Sequence, residues 1–248
     1  MTPDVKRLIE FYRSPLGRIA RALVREPLLK MAGDVRGKRV LGLGFASPYL
    51  RTMLDTAERV IVLMPARQGA SVWPREGPSC TLLADPLEMP FTDASFDLVI
   101  AVHALEHVAD AEEQMRELWR IAAPGSKLIV VVPRRRGIWA GRDNTPFGCG
   151  NPYSRSQLDH LLRTHSFVPE IWHDALYLPP VEWPPILKSA RLFERGGRLF
   201  GSTLAGAIIT IARKEQFPAV ARRLRAERLV RVPDLTPQTA MHLPLSKS

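Results

Sequence analysis

The sequence predicts an α/β protein built on a doubly wound, mostly parallel sheet, and two observations support this fold class. Short runs of β-branched and other apolar residues alternate along the 248-residue chain with segments whose apolar residues recur at helical spacing. The run at 96–102 (FDLVIAV) is apolar almost throughout, as expected of a strand that is covered on both faces. Ligands of such sheets bind at the carboxyl ends of the strands, so the functional residues are expected there.

The stretch 39–50 (RVLGLGFASPYL) predicts the corner around which the chain is organised. A strand over 39–43 leads into a turn at 44–46 and then into a helix. Ser47 is suited to cap that helix, and Pro48 is suited to its first position, where the missing amide hydrogen costs nothing. Free backbone amides and the positive end of the helix would then point into the same space. The corner is therefore expected to favour an anionic or nucleotide-like ligand.

The rest of the chain alternates predicted helices and strands. A helical segment at 4–32 is divided at 14–17, and another at 186–200 is interrupted by the glycine pair 196–197. The other predicted strands cover 59–64, 79–84, 96–102, 127–132, 167–172 and 205–212, and the other predicted helices cover 111–122 and 154–165.

One domain with additions is expected. A helical extension is predicted at 1–35, an α/β domain at 36–214, and a basic helix with a flexible tail at 215–248. No apolar run has the length of a membrane span and no secretory leader is recognisable, so a cytoplasmic protein without a membrane span is predicted. Cys80 and Cys149 lie far apart without metal-binding spacing, so neither a disulfide nor a metal site is predicted.

The net charge of +10 and the isoelectric point near 10.2 predict a surface that attracts phosphates, nucleic acids, anionic lipids or an acidic partner. The arginines, however, form several separate clusters without interleaved aromatic residues that could stack on bases. These clusters are interpreted as solvated faces. A protein partner, if there is one, is expected at the N-terminal helices or the C-terminal tail.

Five short motifs follow one another in the order and spacing of a known family. They are VLGLG at 40–44, ADPLEMPF at 84–91, DASFDLV at 93–99, ALEHV at 104–108 and APGSKL at 123–128. Together they resemble the class I S-adenosylmethionine (SAM) dependent methyltransferases of type 11. The resemblance implies a seven-stranded, Rossmann-like sheet with an antiparallel last strand, SAM as cofactor, and methyl transfer to a small or medium-sized acceptor. The GLGFASPYL form of the glycine motif is similar to that of a bacterial subgroup of these proteins.

The resemblance also implies which residues bind the cofactor. In the family, the glycine turn lets the backbone approach the amino-acid part of SAM, which places Gly42, Gly44 and Ala46 at that part of the site. Asp85 matches the acid that binds the adenine amino group, and Met89 would supply an apolar wall.

The acceptor is expected near the end of the fourth strand. The resemblance places His103, Glu106 and His107 there, and His103 and His107 are the candidate catalytic residues. A purely structural interpretation is equally open. On that interpretation His107 enters the next helix with a hydrogen bond to the backbone, and Glu106 caps that helix.

Departures from the family pattern leave a second function open. The second strand ends in VLMP at 62–65, where relatives usually carry an acid that binds the ribose hydroxyls, and Gly42 and Pro48 differ from the usual glycine loop. A charged hydrogen bond is worth about 1.5–3 kcal/mol, so its loss alone could weaken SAM binding by roughly ten- to a hundred-fold. The alternative is a methyltransferase-fold protein with a degenerate cofactor site that acts as a non-catalytic binding or regulatory module. A dinucleotide site is a poor match, because Ser47 stands where that motif has its third glycine and the expected acid about twenty residues further on is missing.

Nucleic acid is not the expected substrate. Enzymes that methylate base amino groups commonly carry a proline-rich, aromatic element after the fourth strand, where this chain has AVHA at 101–104. No sequence-specific nucleic-acid binding is therefore predicted. Three arginines, Arg134 to Arg136, leave the fifth strand at the start of a long loop, and they are expected to meet an anionic small substrate or solvent.

Overall fold

A seven-stranded sheet forms the centre of the protein in the computed structural model, which describes residues 4–199 and 201–215. The strands are β1 Arg39–Gly44, β2 Arg59–Pro65, β3 Thr81–Ala84, β4 Phe96–Val102, β5 Ala122–Pro133, β6 Phe167–Ala175 and β7 Ala207–Lys214. Their order across the sheet is β3-β2-β1-β4-β5-β7-β6. Strand β7 is antiparallel to β5 and β6, whereas the other neighbours pair in parallel. The predicted doubly wound, mostly parallel sheet with an antiparallel last strand is confirmed.

Helices cover both faces of the sheet, because successive strand residues supply apolar side chains to both. In β4, Leu98, Ile100 and Val102 belong to one core cluster, and Val99 and Ala101 to the other. The helices are α1 Val5–Arg13, α2 Pro15–Ala32, α3 Ser47–Leu50, α4 Ala111–Ile121, α5 Arg155–Thr164, α6 Pro184–Lys188 and α7 Ala190–Leu199, with 3₁₀ turns at Arg51–Met53 and Ser202–Leu204. Helices α1 and α2 contribute to the first cluster, and α4 and α5 to the second. Among the helices of the described ranges, none is both long and apolar enough to cross a membrane.

The two N-terminal helices meet at Ser14, within the predicted division. The Ser14 amide donates to the Glu10 and Phe11 carbonyls at the end of α1, and its hydroxyl accepts from the Gly17 amide at 3.1 Å. One residue thereby satisfies the end of one helix and the start of the next. The domain boundaries at 35 and 215 stay predictions, and all but the first residue of the predicted tail lies outside the described residues.

Helix α3 differs from its prediction in its cap. It spans four residues, begins at Ser47 itself, and has Ala46 as N-cap without a side-chain hydrogen bond. Ala46 already has helical backbone angles (φ −81°, ψ −16°), so Ser47 lies inside the helix and cannot take the extended conformation that a capping serine needs. One turn of helix also concentrates little positive charge at its end, so α3 by itself is a weak site for an anion.

The last helical segment is interrupted at Ser189, not at the predicted glycine pair 196–197. The Ser189 hydroxyl donates to the Pro185 carbonyl at 2.9 Å at the end of α6, and α7 then continues through both glycines. A Cβ on Gly197 would lie 2.3 Å from ring atoms of Tyr177. The glycine at this position therefore serves close packing of α7 on Tyr177 and does not end the helix.

Candidate functional site

A cavity of about 190 Å³ lies at the carboxyl ends of β2, β3 and β4, where the fold class predicts a ligand. Three segments line it: 65–68 at the end of β2, 85–87 after β3, and the stretch after β4 that contains His103 and His107. The structure therefore brings together Asp85, His103 and His107, three of the residues that the sequence identified.

Two polar residues of different burial line this cavity from the turns after β2 and β3. Asp85 is exposed, and its carboxylate accepts a hydrogen bond from the Leu87 amide at 2.9 Å, which fixes the turn after β3. Gln68 is only 2% exposed, and neither polar atom of its carboxamide has a hydrogen-bond partner. Sequence reasoning missed Gln68. The available signal was a polar residue in the turn after a strand that lacks the expected acid.

The glycine corner lies beside the cavity, and Gly42, Gly44 and Ala46 are not among the residues that line it. Gly44 has φ +75°, and a Cβ there would lie 2.5 Å from the Val102 carbonyl oxygen. The Phe45 amide donates to the same oxygen at 2.8 Å. The missing side chain at Gly44 thus allows the turn to close on the end of β4. Contact of the three corner residues with a cofactor stays a prediction.

Met89 lies apart from the cavity. It is 3% exposed and belongs to the core cluster on the α4 side of the sheet. Its amide donates to the Glu117 carboxylate at 2.7 Å, which ties the loop after β3 to α4. The structure gives Met89 a packing role, and its contact with a cofactor stays a prediction.

His103 is the centre of a buried hydrogen-bonded chain. It follows β4 directly with φ +50°, a left-handed conformation that turns the chain sharply at the strand end. Its Nδ1 lies 3.1 Å from Glu106 Oε1, its Nε2 lies 2.8 Å from the Tyr12 hydroxyl, and that hydroxyl lies 2.9 Å from the hydroxyl of Tyr49. Burial raises the pKa of both tyrosines, which therefore stay protonated. One arrangement satisfies every link: Tyr49 donates to Tyr12, Tyr12 to Nε2, and Nδ1 to Glu106.

Glu106 and His107 lie close together, and Glu106 belongs to this hydrogen-bonded network. The Nε2 atom of His107 is 4.0 Å from Glu106 Oε1, and both side chains are at most 4% exposed. Glu106 does not cap the next helix, because Asp110 accepts from the Glu112 and Glu113 amides there. The ligand atoms of His103, Glu106 and His107 lie within 4.8 Å of one another, and two imidazoles with a carboxylate are a donor set that divalent transition metals accept.

Helix α1 and the loop after β5 close over His103. The Val5 amide at the start of α1 donates to the Gln68 carbonyl at 2.8 Å, and near its end Tyr12 stacks on Phe45 at 5.5 Å. From the loop, the ring of Phe147 meets His103 edge-on at 4.8 Å. The specific pairing of Tyr12 with His103 joins residues far apart in the sequence, so no local pattern indicates it.

Arg134 corrects one sequence expectation. Its guanidinium is largely buried and forms an ion pair with Asp174 of β6, so it is not the solvent-facing group that the sequence suggested. Arg135 and Arg136 are exposed, in agreement with the expectation of solvent contact. The reason is position: Arg134 directly follows β5, and its amide still donates to the Gly206 carbonyl at 3.0 Å. The side chain therefore stays at the sheet, where β6 supplies an acid.

The burial of His107 leads to a testable pH dependence. Burial is the main cause of the lowered pKa of His107, because it penalises the charged imidazolium. The pKa of an unfolded histidine is about 6.5, so below that pH the unfolded chain binds more protons than the folded one. We expect the free energy of unfolding to fall as the pH drops from about 6.5 toward the lower pKa of His107 in the folded protein. Above about pH 6.5 both states hold a neutral His107, and the full stability is present.

Urea unfolding at a series of pH values measures this effect, and His107→Gln should flatten the dependence. The matched control is His165→Gln, since the pKa of His165 is also lowered by burial but this residue lies nearer the surface. The control should remove a smaller part of the pH dependence. An unchanged slope in the His107 variant would contradict the assignment.

Comparison with known proteins agrees with this architecture. Residues 41–130 match the family model described as a methyltransferase domain. A SAM-dependent methyltransferase from Thermotoga maritima superimposes with a TM-score of 0.59 and 16% identity, over 85% of this chain and 96% of that one. The chain has the fold of the class I SAM-dependent methyltransferases. The [4+2]-cyclase SpnF shares this fold as well, with a TM-score of 0.52 and 20% identity over 77% of this chain and 80% of that one.

Sequence relatives cover a shorter part of the molecule. The chain is 30% identical over 128 residues to the chloroplastic tocopherol O-methyltransferase of Arabidopsis thaliana, which is 50% of this chain and 35% of the relative. It is 34% identical over 95 residues to the demethylmenaquinone methyltransferase of Thermus thermophilus, which is 38% of this chain and 36% of the relative. The matches thus span about a third of these relatives' lengths.

Proposed function

We propose that this protein is a SAM-dependent methyltransferase that acts on a small or medium-sized acceptor. The observation that carries the proposal is the cavity at the ends of β2, β3 and β4, which Gln68, Asp85, His103 and His107 line together. The similarity to enzymes named for tocopherol and demethylmenaquinone supports a small-molecule acceptor. The form of the glycine corner supports membership of the bacterial subgroup that the sequence resembles.

The residues present suit a nucleoside cofactor. The buried carboxamide of Gln68 lacks partners and can both donate and accept, and the Asp85 carboxylate at the rim can accept from an exocyclic amine. Gly42, Gly44 and Ala46 would hold the amino-acid part, as the resemblance implies. When bound, SAM supplies a sulfonium methyl group, which is electrophilic.

The chain would contribute mainly by orienting the acceptor, since in-line placement of reactants can supply much of the rate enhancement. The lowered pKa of His107 keeps its imidazole neutral near neutral pH, so it can accept a proton from an acceptor hydroxyl or amine. His103 already has partners on both ring nitrogens, Glu106 and Tyr12, and would hold the acceptor side in a fixed geometry. Both histidines remain proposals for catalysis.

Calorimetric titration with S-adenosylhomocysteine (SAH) tests the proposal. We expect binding to the wild-type protein, and a loss of about ten- to a hundred-fold in Asp85→Asn, because a charged hydrogen bond is worth about 1.5–3 kcal/mol. Asparagine keeps an oxygen for the Leu87 amide, so the turn survives. The control is Glu88→Gln, which neutralises an exposed carboxylate in the same loop and should bind like wild type. No binding at millimolar SAH would refute the function.

A second candidate is a non-catalytic binding or regulatory module. The observation that favours it is the end of β2, where residues 62–68 contain no carboxylate. The [4+2]-cyclase SpnF has the same fold, and a fold does not determine chemistry. Another neighbour of the same fold, from Haloferax volcanii, was solved with the Trm112 methyltransferase activator, at a TM-score of 0.59 and 16% identity over 84% of this chain and 97% of that one.

A protein partner is therefore a natural part of this alternative, through the N-terminal helices or the tail. Co-purification of a stoichiometric partner, together with an Asp85→Asn variant that functions normally in cells, would favour it. Tight SAH binding that depends on Asp85 would count against it. We continue to predict no sequence-specific nucleic-acid binding, which duplex and RNA binding assays at physiological salt would check.

A further inference from the structure

Gln68 is the least explained polar side chain at the cavity. It is 2% exposed, both polar atoms of its carboxamide lack hydrogen-bond partners, and it lines the cavity. A buried carboxamide without partners destabilises a protein, since its hydrogen bonds to water are lost on folding. A ligand that can both accept and donate would restore them.

The backbone holds Gln68 firmly in place. Its amide donates to the Pro65 carbonyl at 2.9 Å, which forms a tight turn at the end of β2. Its carbonyl accepts from the Val5 amide at 2.8 Å, so the start of α1 also holds this residue in place. Both backbone groups are thus used within the fold, and only the side chain remains for a ligand.

Lack of partners alone does not indicate a ligand, as a second residue shows. Gln114 in α4 is also fully buried, and its carboxamide also lacks partners, but it is not among the residues that line the cavity. What distinguishes Gln68 is its position. It follows the strand end that has no carboxylate, and it lines the same cavity as Asp85.

We propose that Gln68 binds the ribose hydroxyl groups of the cofactor and replaces the carboxylate that the end of β2 lacks. This inference rests on the proposed function, because it assumes a nucleoside in the cavity. A vicinal diol offers two hydroxyl groups, each able to donate and to accept, and a carboxamide can accept from one and donate to the other. A carboxylate could only accept. Ribose binding through Gln68 would therefore need no ionised group on the protein.

Calorimetric titration of the full-length protein with SAH and with its 2′-deoxy analogue tests the role of Gln68. Wild type should bind the deoxy analogue about tenfold more weakly, as expected when one neutral hydrogen bond is lost. Gln68→Met keeps the length and fills the same space without polar atoms. This variant should bind SAH about tenfold more weakly than wild type and should hardly distinguish the two ligands.

The control is Gln114→Met, which removes an equally buried carboxamide away from the cavity. It should bind both ligands like wild type. Thermal unfolding of the ligand-free variants identifies any general loss of structure, and neither methionine should lower the melting temperature, because each removes unsatisfied polar atoms.

The outcomes separate the two proposals. If wild type binds SAH and Gln68→Met binds it equally well, or still discriminates against the deoxy analogue, the role of Gln68 is refuted while the methyltransferase proposal stands. If wild type does not bind SAH, the proposed function fails first. Weaker binding of SAH by Gln68→Met together with loss of discrimination would establish the contact with the ribose.

Discussion

Replacing Trp139 with alanine is expected to lower the free energy of unfolding by about 3–5 kcal/mol, as for other large aromatic side chains removed from a core. Trp139 is fully buried and packs edge-on against Phe147 at 5.7 Å and Phe11 at 6.4 Å. Its indole Nε1 donates to the Leu178 carbonyl at 2.8 Å. The substitution therefore leaves both a cavity and an unpaired carbonyl in the interior.

Urea unfolding monitored by circular dichroism measures this loss, with the denaturant slope as a check on two-state behaviour. The control is Trp183→Ala, because Trp183 is 60% exposed, and we expect a change within about 0.5 kcal/mol. Equal losses in the two variants would show that Trp139 does not anchor the loop after β5. Because Phe147 of that loop contacts His103, the Trp139 variant should also weaken ligand binding.

The sequence predicted the strands of this sheet well, because their burial imposes a simple pattern. Strand β4 was predicted with the observed bounds, 96–102, since both of its faces are covered and its residues are almost all apolar. Strand β7 was predicted at 205–212 and observed at Ala207–Lys214. The observed strand ends with Arg213 and Lys214. Because the rest of the strand is apolar, these two charged residues made it look shorter in the sequence.

Helix boundaries were predicted less well where packing decides them. Serine is a residue type that commonly caps helices, but the helical backbone of Ala46 makes α3 begin at Ser47, one residue earlier than predicted. Glycine is a residue type that commonly ends helices, but at position 197 the ring of Tyr177 requires a small residue within the helix. The second error arises because a contact with a residue twenty positions away overrides a local preference.

The residues of the candidate site also fall into those that the sequence could predict and those that it could not. Asp85, His103 and His107 could be predicted because they follow strands whose ends meet at one edge of a parallel sheet. Tyr12 could not be placed on His103, since 91 residues separate the partners and no local pattern relates them. Gln68 could have been noticed as a polar residue after a strand without the expected acid, but only the folded chain shows that its carboxamide is buried and unpaired.

The second large effect on the free energy of unfolding is expected from breaking the ion pair between Arg134 and Asp174. The sequence did not indicate this contact. The ion pair joins the end of β5 to β6, and the side chains are 10% and 18% exposed. Removing one partner of a buried pair leaves the other charge uncompensated, which typically costs about 3–5 kcal/mol. We therefore expect Asp174→Ala to lower the free energy of unfolding by about this amount, and Arg134→Ala to have a similar effect.

A double-mutant cycle separates the pair from the packing of the two side chains. The double alanine variant should lose clearly less stability than the sum of the single variants, because it leaves no isolated charge in the interior. The control is Glu170→Ala, which breaks the pair with Arg213 at the surface, where the side chains are 34% and 50% exposed. That loss should be at most about 1 kcal/mol and should shrink with added salt. If Asp174→Ala cost no more than Glu170→Ala, Arg134 would be free to meet an anionic substrate after all.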